Sequence, residues 1–215
     1  MRKKALVTWG GWEGHDPQQT SALAREILEA EGFEVLYVNT LDVYTDAALM
    51  ASLDLIVPVW TMAEITGEQS KALQNTIGEG CGLAGWHGGM CDSFRKDTGY
   101  QWMTGGQWVA HPGNSIRYAV NFTKKDDPTV KGLTDFDITS EQYYMHTDPG
   151  NDVLATTTFD GVHADWVKGT VMPIAWKRPW KKGRVFYTSL GHIRRDFEVP
   201  QVRELVRRGM LWAAR

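Results

Sequence analysis

Leu83-Ala84-Gly85-Trp86-His87-Gly88-Gly89-Met90 is a short apolar run that stops in a glycine-rich turn with a histidine at its apex. The layout is G-x-H-x-G. In elbows of the G-x-S-x-G type, small flanking residues let a strand turn sharply into a helix and hold the apex residue in a strained backbone conformation that projects its side chain from the sheet. Here the apex side chain is an imidazole, which can take up a proton, release one or bind a metal, but rarely forms the covalent intermediate expected of Ser or Cys. The stretch predicts the scaffold of a nucleophile enzyme with its nucleophile replaced.

On the N-terminal side of the elbow, apolar runs alternate with helical patterns. Residues 5–9, 33–38, 53–59 and 82–86 read as buried strands. Asp16 stands at a helix N-cap with Pro17 in the first helical position; Leu23, Ala24, Ile27 and Leu28 give that helix an apolar face, and Gly32 ends it. Thr66-Gly67-Glu68-Gln69 has capping-box spacing ahead of a helix through Leu73 and Ile77. Such alternation predicts a mostly parallel sheet with helices on both faces. Beyond the elbow the pattern changes. Runs at 115–123, 136–144, 153–158, 170–176 and 185–190 are strand-like and parted by turns rich in Pro, Gly and Asp, which predicts an antiparallel extension of the sheet. An amphipathic helix is expected over 200–213. With 215 residues, one α/β domain spanning 1–215 is expected.

A formal charge of −3 gives no general attraction to nucleic acid or anionic lipid. The basic stretch Lys177-Arg178-Pro179-Trp180-Lys181-Lys182-Gly183-Arg184 fits a solvated hairpin turn better than a nucleic-acid patch. Cys81 and Cys91 form no disulfide framework and no C-x-x-C pair, so a reducing compartment is expected. The apolar run after Arg2, Lys3 and Lys4 breaks at Thr8 and Gly10, too soon for a signal peptide, and nothing approaches the roughly 18 apolar residues of a membrane span. A cytoplasmic location is expected, with no nucleic-acid or membrane partner, and a homodimer is the commonest assembly for such a chain.

In open α/β sheets, ligands bind beyond the carboxyl ends of the strands, so reactive residues just after strands matter most. His15, His87 and His192 each follow a strand, and Glu141 and Tyr143 share a face of the run 136–144. His111 and His163 follow no convincing parallel strand and are assigned to loops. Three convergent imidazoles and a carboxylate allow two chemistries. One is a divalent metal, zinc or manganese, held by His15, His87 and His192 with Glu141 or Asp16 as a further ligand. The other is metal-free acid–base work by His87, His192 and Glu141. Trp9, Trp12, Trp60 and Trp86 fall at strand ends, where aromatic faces can stack on sugar rings. The expected ligand wall is Trp12, Trp60, Trp86, Tyr143 and His15. Cys91 is expected to lie buried in the helix after the elbow.

Gly10-Gly11 with Gly14-His15-Asp16, then Gly85-Trp86-His87-Gly88-Gly89, Ser140-Glu141-Gln142-Tyr143-Tyr144, and Gly183 onward through Thr188-Ser189-Leu190-Gly191-His192 together resemble the ThuA-like (trehalose utilisation) family. The segments span nearly the whole chain. That family is a branch of the class I glutamine amidotransferase-like superfamily, so the resemblance implies a flavodoxin-like three-layer sandwich. It also implies a role in sugar catabolism, with disaccharides or their keto derivatives as substrate class. In the wider superfamily the elbow residue is a nucleophilic Cys, and the last strand is followed by the catalytic His. His87 and His192 stand in those positions, so the resemblance carries over the pocket but not thioester chemistry on glutamine. A sugar-binding or sensory module that kept the pocket and lost catalysis is the alternative from another functional class.

Overall fold

Period-two burial along the first strands dictates the layers. The computed structural model describes residues 2–215, beginning with strand β1 (Lys4–Gly11), helix α1 (Pro17–Ala30), strand β2 (Glu34–Val38), helix α2 (Ala47–Ser52), strand β3 (Leu55–Thr61) and helix α3 (Gly67–Gly78). The elbow follows as strand β4 (Gly82–Trp86) and helix α4 (His87–Cys91), then helix α5 (Thr98–Thr104). Ala5, Val7, Leu55, Val57 and Ala84 are buried with Leu23, Ile27 and Leu28 of α1 on one side of the sheet. Their neighbours Leu6, Ile56 and Leu83 are buried on the other side with Leu73 and Ile77 of α3 and Met90 of α4. Burying each such Leu or Ile contributes about 1.5–3 kcal/mol, which makes this alternation costly to violate.

The second half supplies strands β5 (Gly106–Ala110), β6 (Ser115–Phe122), β7 (Phe136–Glu141), β8 (Tyr144–Thr147), β9 (Asp152–Thr158), β10 (Val171–Trp180) and β11 (Gly183–Thr188), then helix α6 (Pro200–Ala213). The main sheet has nine strands in the order β2-β1-β3-β4-β11-β10-β9-β6-β7. Its first five strands are parallel, and β10, β9, β6 and β7 extend it antiparallel. The parallel part, with β1 flanked by β2 and β3, has the flavodoxin-type winding whose ligand crevice opens at the carboxyl ends of the strands. Helix α6 joins α1 on the first face through Val202, Leu205, Val206 and Met210.

Local signals operate as their chemistry requires. Thr66 Oγ1 accepts from the Gln69 backbone and the Gln69 side chain accepts from the Thr66 backbone, completing a capping box on α3. Asp16 does occupy the N-cap of α1 with Pro17 behind it, but its side chain does not cap. Its backbone is left-handed, at φ 46°, instead of the extended conformation that aims a capping oxygen into the helix.

Three features depart from the sequence expectations. The run 136–144 is broken after Glu141, because β8 leaves the main sheet to pair with β5 in a separate two-stranded sheet, setting Trp108 opposite Met145. Gln142 and Tyr143, in the break, are both buried. Strand β5 itself was not foreseen. Finally, the basic stretch does turn between β10 and β11, but Lys177 and Arg178 are buried rather than solvated. Each is neutralised: Lys177 by an ion pair with Asp127, and Arg178 by Asp148 at 3.4 Å and a hydrogen bond to Asn151. Among the described residues no helix is long and apolar enough to cross a membrane.

Candidate active site

Four elements converge over the carboxyl end of the parallel sheet. His15 ends a short 3-10 turn after β1, His87 opens α4, Glu141 ends β7, and His192 follows β11. One donor atom from each lies within 4.8 Å of the others. His87 has the positive φ, 47°, expected at an elbow apex, and Gly85 lacks a side chain where a Cβ would meet Met90 at 2.8 Å. The apex imidazole is 1% exposed, so it points into the molecule and not out to solvent.

The hydrogen bonds of His87 define its lone pair. Its Nδ1 lies 2.8 Å from the Ser189 carbonyl oxygen, which can only accept, so Nδ1 carries the hydrogen. Its Nε2 lies 3.1 Å from Glu141 Oε2. A neutral imidazole so oriented would set a lone pair against a carboxylate. The contact therefore calls for a cation between or on these groups, whether a proton or a metal ion. His15 is oriented by Thr61, whose Oγ1 is 2.9 Å from its Nδ1, and its Nε2 is 3.9 Å from Glu141 Oε2. His192 Nε2 is 3.6 Å from Glu141 Oε1. Asp196 ties this loop to β7: its Oδ2 accepts from the His192 backbone at 2.9 Å and from Ser140 Oγ at 2.5 Å.

Burial by itself would raise the Glu141 carboxyl, but the hydrogen bond from His87 and the charges of His87, His192 and His111 outweigh it and bring its pKa down to about 2. His15 is pushed down to about 3, first by burial and then by His87 and His192. His192 is lowered as well, by burial first and then by His87. The cluster thus disfavours added protons on His15 and His192 while keeping an anion at its centre, which is the charge pattern that suits a bound cation.

A cavity of about 280 Å³ opens beside the cluster, lined by Trp12, His15, Met62, Asp92, Arg95, Trp108, His111, Glu141 and Tyr143. Tyr143 packs on His87 with ring centroids 4.0 Å apart. Of the expected ligand wall, Trp12, His15 and Tyr143 border this cavity and Trp60 and Trp86 do not. Trp86 is buried edge-on against Phe197 in the core that α1 and α6 share, and Trp60 lies over the bare backbone of Gly10. Asp16 stays outside the donor set, with a carboxylate oxygen 3.5 Å from the Arg194 backbone nitrogen. His111 belongs to the site although its sequence position hid it: its Nε2 is 3.7 Å from Glu141 Oε1. It arrives on the loop after β5, and only the unforeseen β5–β8 pairing brings that loop to the cluster. Cys91 is buried below the elbow, and burial pushes its thiol far above the usual range. It has none of the thiolate character of a nucleophile.

The ThuA family model, described as trehalose utilisation, matches residues 4–213. A protein described as ThuA-like from Bacteroides uniformis superposes with TM-score 0.82 and 18% identity, over 99% of this chain and 91% of its own. Another, from Parabacteroides merdae, gives TM-score 0.80 and 21% identity over 99% and 90%. A cytoplasmic protein of Salmonella typhimurium shares 13% identity at TM-score 0.67, over 99% of both chains. At these identities the structural likeness establishes the fold. No curated protein matches the sequence.

Proposed function

Because the chain belongs to the trehalose utilisation family, we propose that its histidine cluster holds a divalent metal, zinc or manganese, and acts on a sugar or keto-sugar ring in the adjoining cavity. The observation that carries this reading is the 3.1 Å approach of His87 Nε2 to Glu141 Oε2 while Nδ1 is committed to a carbonyl. A histidine ligand usually donates its second ring hydrogen to a carbonyl or carboxylate in this way. His15, His87, His192 and Glu141 form a set of three imidazoles and one carboxylate, which suits zinc or manganese. A bound ion of this kind polarises a carbonyl or hydroxyl oxygen, or lowers the pKa of a water.

The protein's own groups then have separate duties. Ser189 fixes the His87 tautomer, and Thr61 orients His15. Tyr143 walls one side of the ring site against His87. His111 borders the cavity outside the ligand set and is available to exchange a proton with a substrate hydroxyl or a carbon next to a carbonyl. Without a nucleophile at the elbow, a covalent sugar–enzyme intermediate on residue 87 is not part of the scheme.

A proton satisfies the same contact, making His87 an imidazolium paired with Glu141 and the chemistry metal-free. Elemental analysis of the protein beside His87→Ala and His192→Ala separates the two. Near-stoichiometric zinc or manganese that disappears in both variants supports the metal reading; no metal after supplementation overturns it in favour of acid–base chemistry. Turnover of trehalose or its keto derivatives then tests catalysis, and binding without turnover would reduce the protein to a sugar-binding module.

A further inference from the structure

Three neutral imidazoles and one carboxylate can hold a divalent ion but do not neutralise it. With Glu141 as the only charged member of the donor set, a bound ion would leave net positive charge around a buried His87, and uncompensated charge away from water is costly. A second carboxylate stands directly behind the donors. Asp196, in the 3-10 turn Arg194–Glu198, is 5% exposed. Its Oδ2 accepts from the His192 backbone nitrogen at 2.9 Å and from Ser140 Oγ, next to Glu141 in the chain, at 2.5 Å. A buried carboxylate ordinarily has a cationic partner. The cluster imidazoles face Glu141 instead. Among the described residues no Lys, Arg or His reaches ion-pair distance of Asp196, and the preceding Arg195 is exposed. The other nearby carboxylates are accounted for. Asp92 is neutralised by Arg95, and Asp16, which approaches the Arg194 backbone, is half-buried and open to screening by solvent.

We infer that Asp196 is a positioning residue and charge partner of the cluster: an anion outside the donor set that ties the His192 turn to β7 and completes the neutralisation of a divalent cation. The inference rests on the metal reading above and adds to it that the site uses the charge of Asp196 and not its hydrogen bonds alone. Both hydrogen bonds converge on a single oxygen, and the carbonyl oxygen of an asparagine would accept both as well. A tie between turn and strand therefore needs no carboxylate, whereas a divalent ion held by one carboxylate does. In the metal-free protein the same charge is buried and unpaired, so it lowers stability.

The test is the zinc affinity of the full chain, measured by competition with a chromophoric chelator, beside the melting temperature in excess chelator, for the native protein, Asp196→Asn and Ser140→Ala. Asp196→Asn should bind zinc at least about tenfold more weakly, as expected when an outer partner of a metal ligand is lost, while its metal-free form melts no lower than the native protein. A residue that served only as a strut would lower both readouts together. Ser140→Ala removes one tie and keeps the charge, so its zinc affinity should stay close to native. Native zinc affinity in Asp196→Asn overturns the inference and leaves the metal reading standing. So does an Asp196→Asn protein that fails to fold or loses stability along with affinity, and so does a Ser140→Ala protein whose zinc affinity falls about tenfold. A native protein that binds no zinc overturns both readings.

Discussion

Gly88 and His15 share one volume of space: a Cβ on residue 88 would stand 2.6 Å from His15 Cε1 and 3.0 Å from Thr61 Cγ2. The first glycine after the elbow histidine therefore admits a second histidine to the cluster. Gly88→Ala should displace His15, cost about 1–3 kcal/mol of stability from overpacking, and lower ligand or metal affinity more than it lowers the melting temperature. Thermal melts paired with metal analysis check this; normal metal affinity in a folded Gly88→Ala protein would show that His15 is dispensable.

The positive φ at His87 makes a separate prediction. Left-handed backbone costs a non-glycine residue about 1–2 kcal/mol, and glycine escapes that cost. Of two variants that both lack the imidazole, His87→Gly should therefore be more stable than His87→Ala by about 1 kcal/mol, the reverse of the order in an ordinary helix. Both should be less stable than the native protein, since the imidazole is buried and its Nδ1 donates to the Ser189 carbonyl. Denaturant unfolding of the pair decides it, and an alanine variant at least as stable would refute a strained elbow.

Acidification should weaken the metal-free protein in two stages. His15 titrates near 3 in the folded chain against 6.5 when unfolded, so the unfolded state binds more protons between those values and stability falls as pH drops through that window. Glu141 is held near 2 against 4.5, so the stability it confers is present above about 4.5 and lost as pH falls toward 2. Both slopes have the same sign. Melting temperature measured in chelator should decline from pH 7 to pH 4, and His15→Gln should flatten the upper part of that decline. An unchanged profile in His15→Gln would assign the loss to other groups.

Metal removal offers a fourth check. An ion present at about 100 times its Kd stabilises a folded protein by about 2.7 kcal/mol, which for a domain of this size is a melting shift of roughly 5–10 °C. A chelator should lower the melting temperature by that amount in the native protein and leave His192→Ala unchanged. A shift of equal size in His192→Ala would locate the ion elsewhere.

Far from the site, Lys177 is nearly buried, with its ammonium paired to Asp127 and 4.9 Å from the Trp212 ring centroid. Asp127→Ala should cost about 3–5 kcal/mol by stranding that charge, and adding Lys177→Met should restore most of it. Chemical denaturation of the single and double variants measures the coupling.

Much of this fold was legible because its signals are local. The elbow glycines, the Thr66–Gln69 box and the apolar stripe of 200–213 each act within a few residues, and the observed α3 and α6 start where those signals stand. His15, His87 and His192 could be nominated from strand ends alone, and Glu141 from the face it shares with Tyr143 in the run 136–144. His111 could not, because its approach depends on β5 pairing with β8, a contact that leaves no periodic trace in either short segment. Burial of Lys177 and Arg178 was hidden for a related reason: their partners Asp127 and Asp148 are distant in sequence, and a charged run without its counterions reads as solvent-facing. Trp86 misled in the opposite sense, since a strand-end position does not say which side of the elbow its indole will take.

The four donor residues are drawn from positions 15, 87, 141 and 192, on elements that meet only across the completed sheet. On a ribosome, His15 and His87 emerge early but have no carboxylate to gather round until β7 is made, and the last imidazole waits for β11 to slot beside β4. An ion that needs all four of these groups would therefore bind only late in the life of each molecule. A spectroscopic ion such as cobalt bound there would report the moment at which the nascent chain becomes a whole protein.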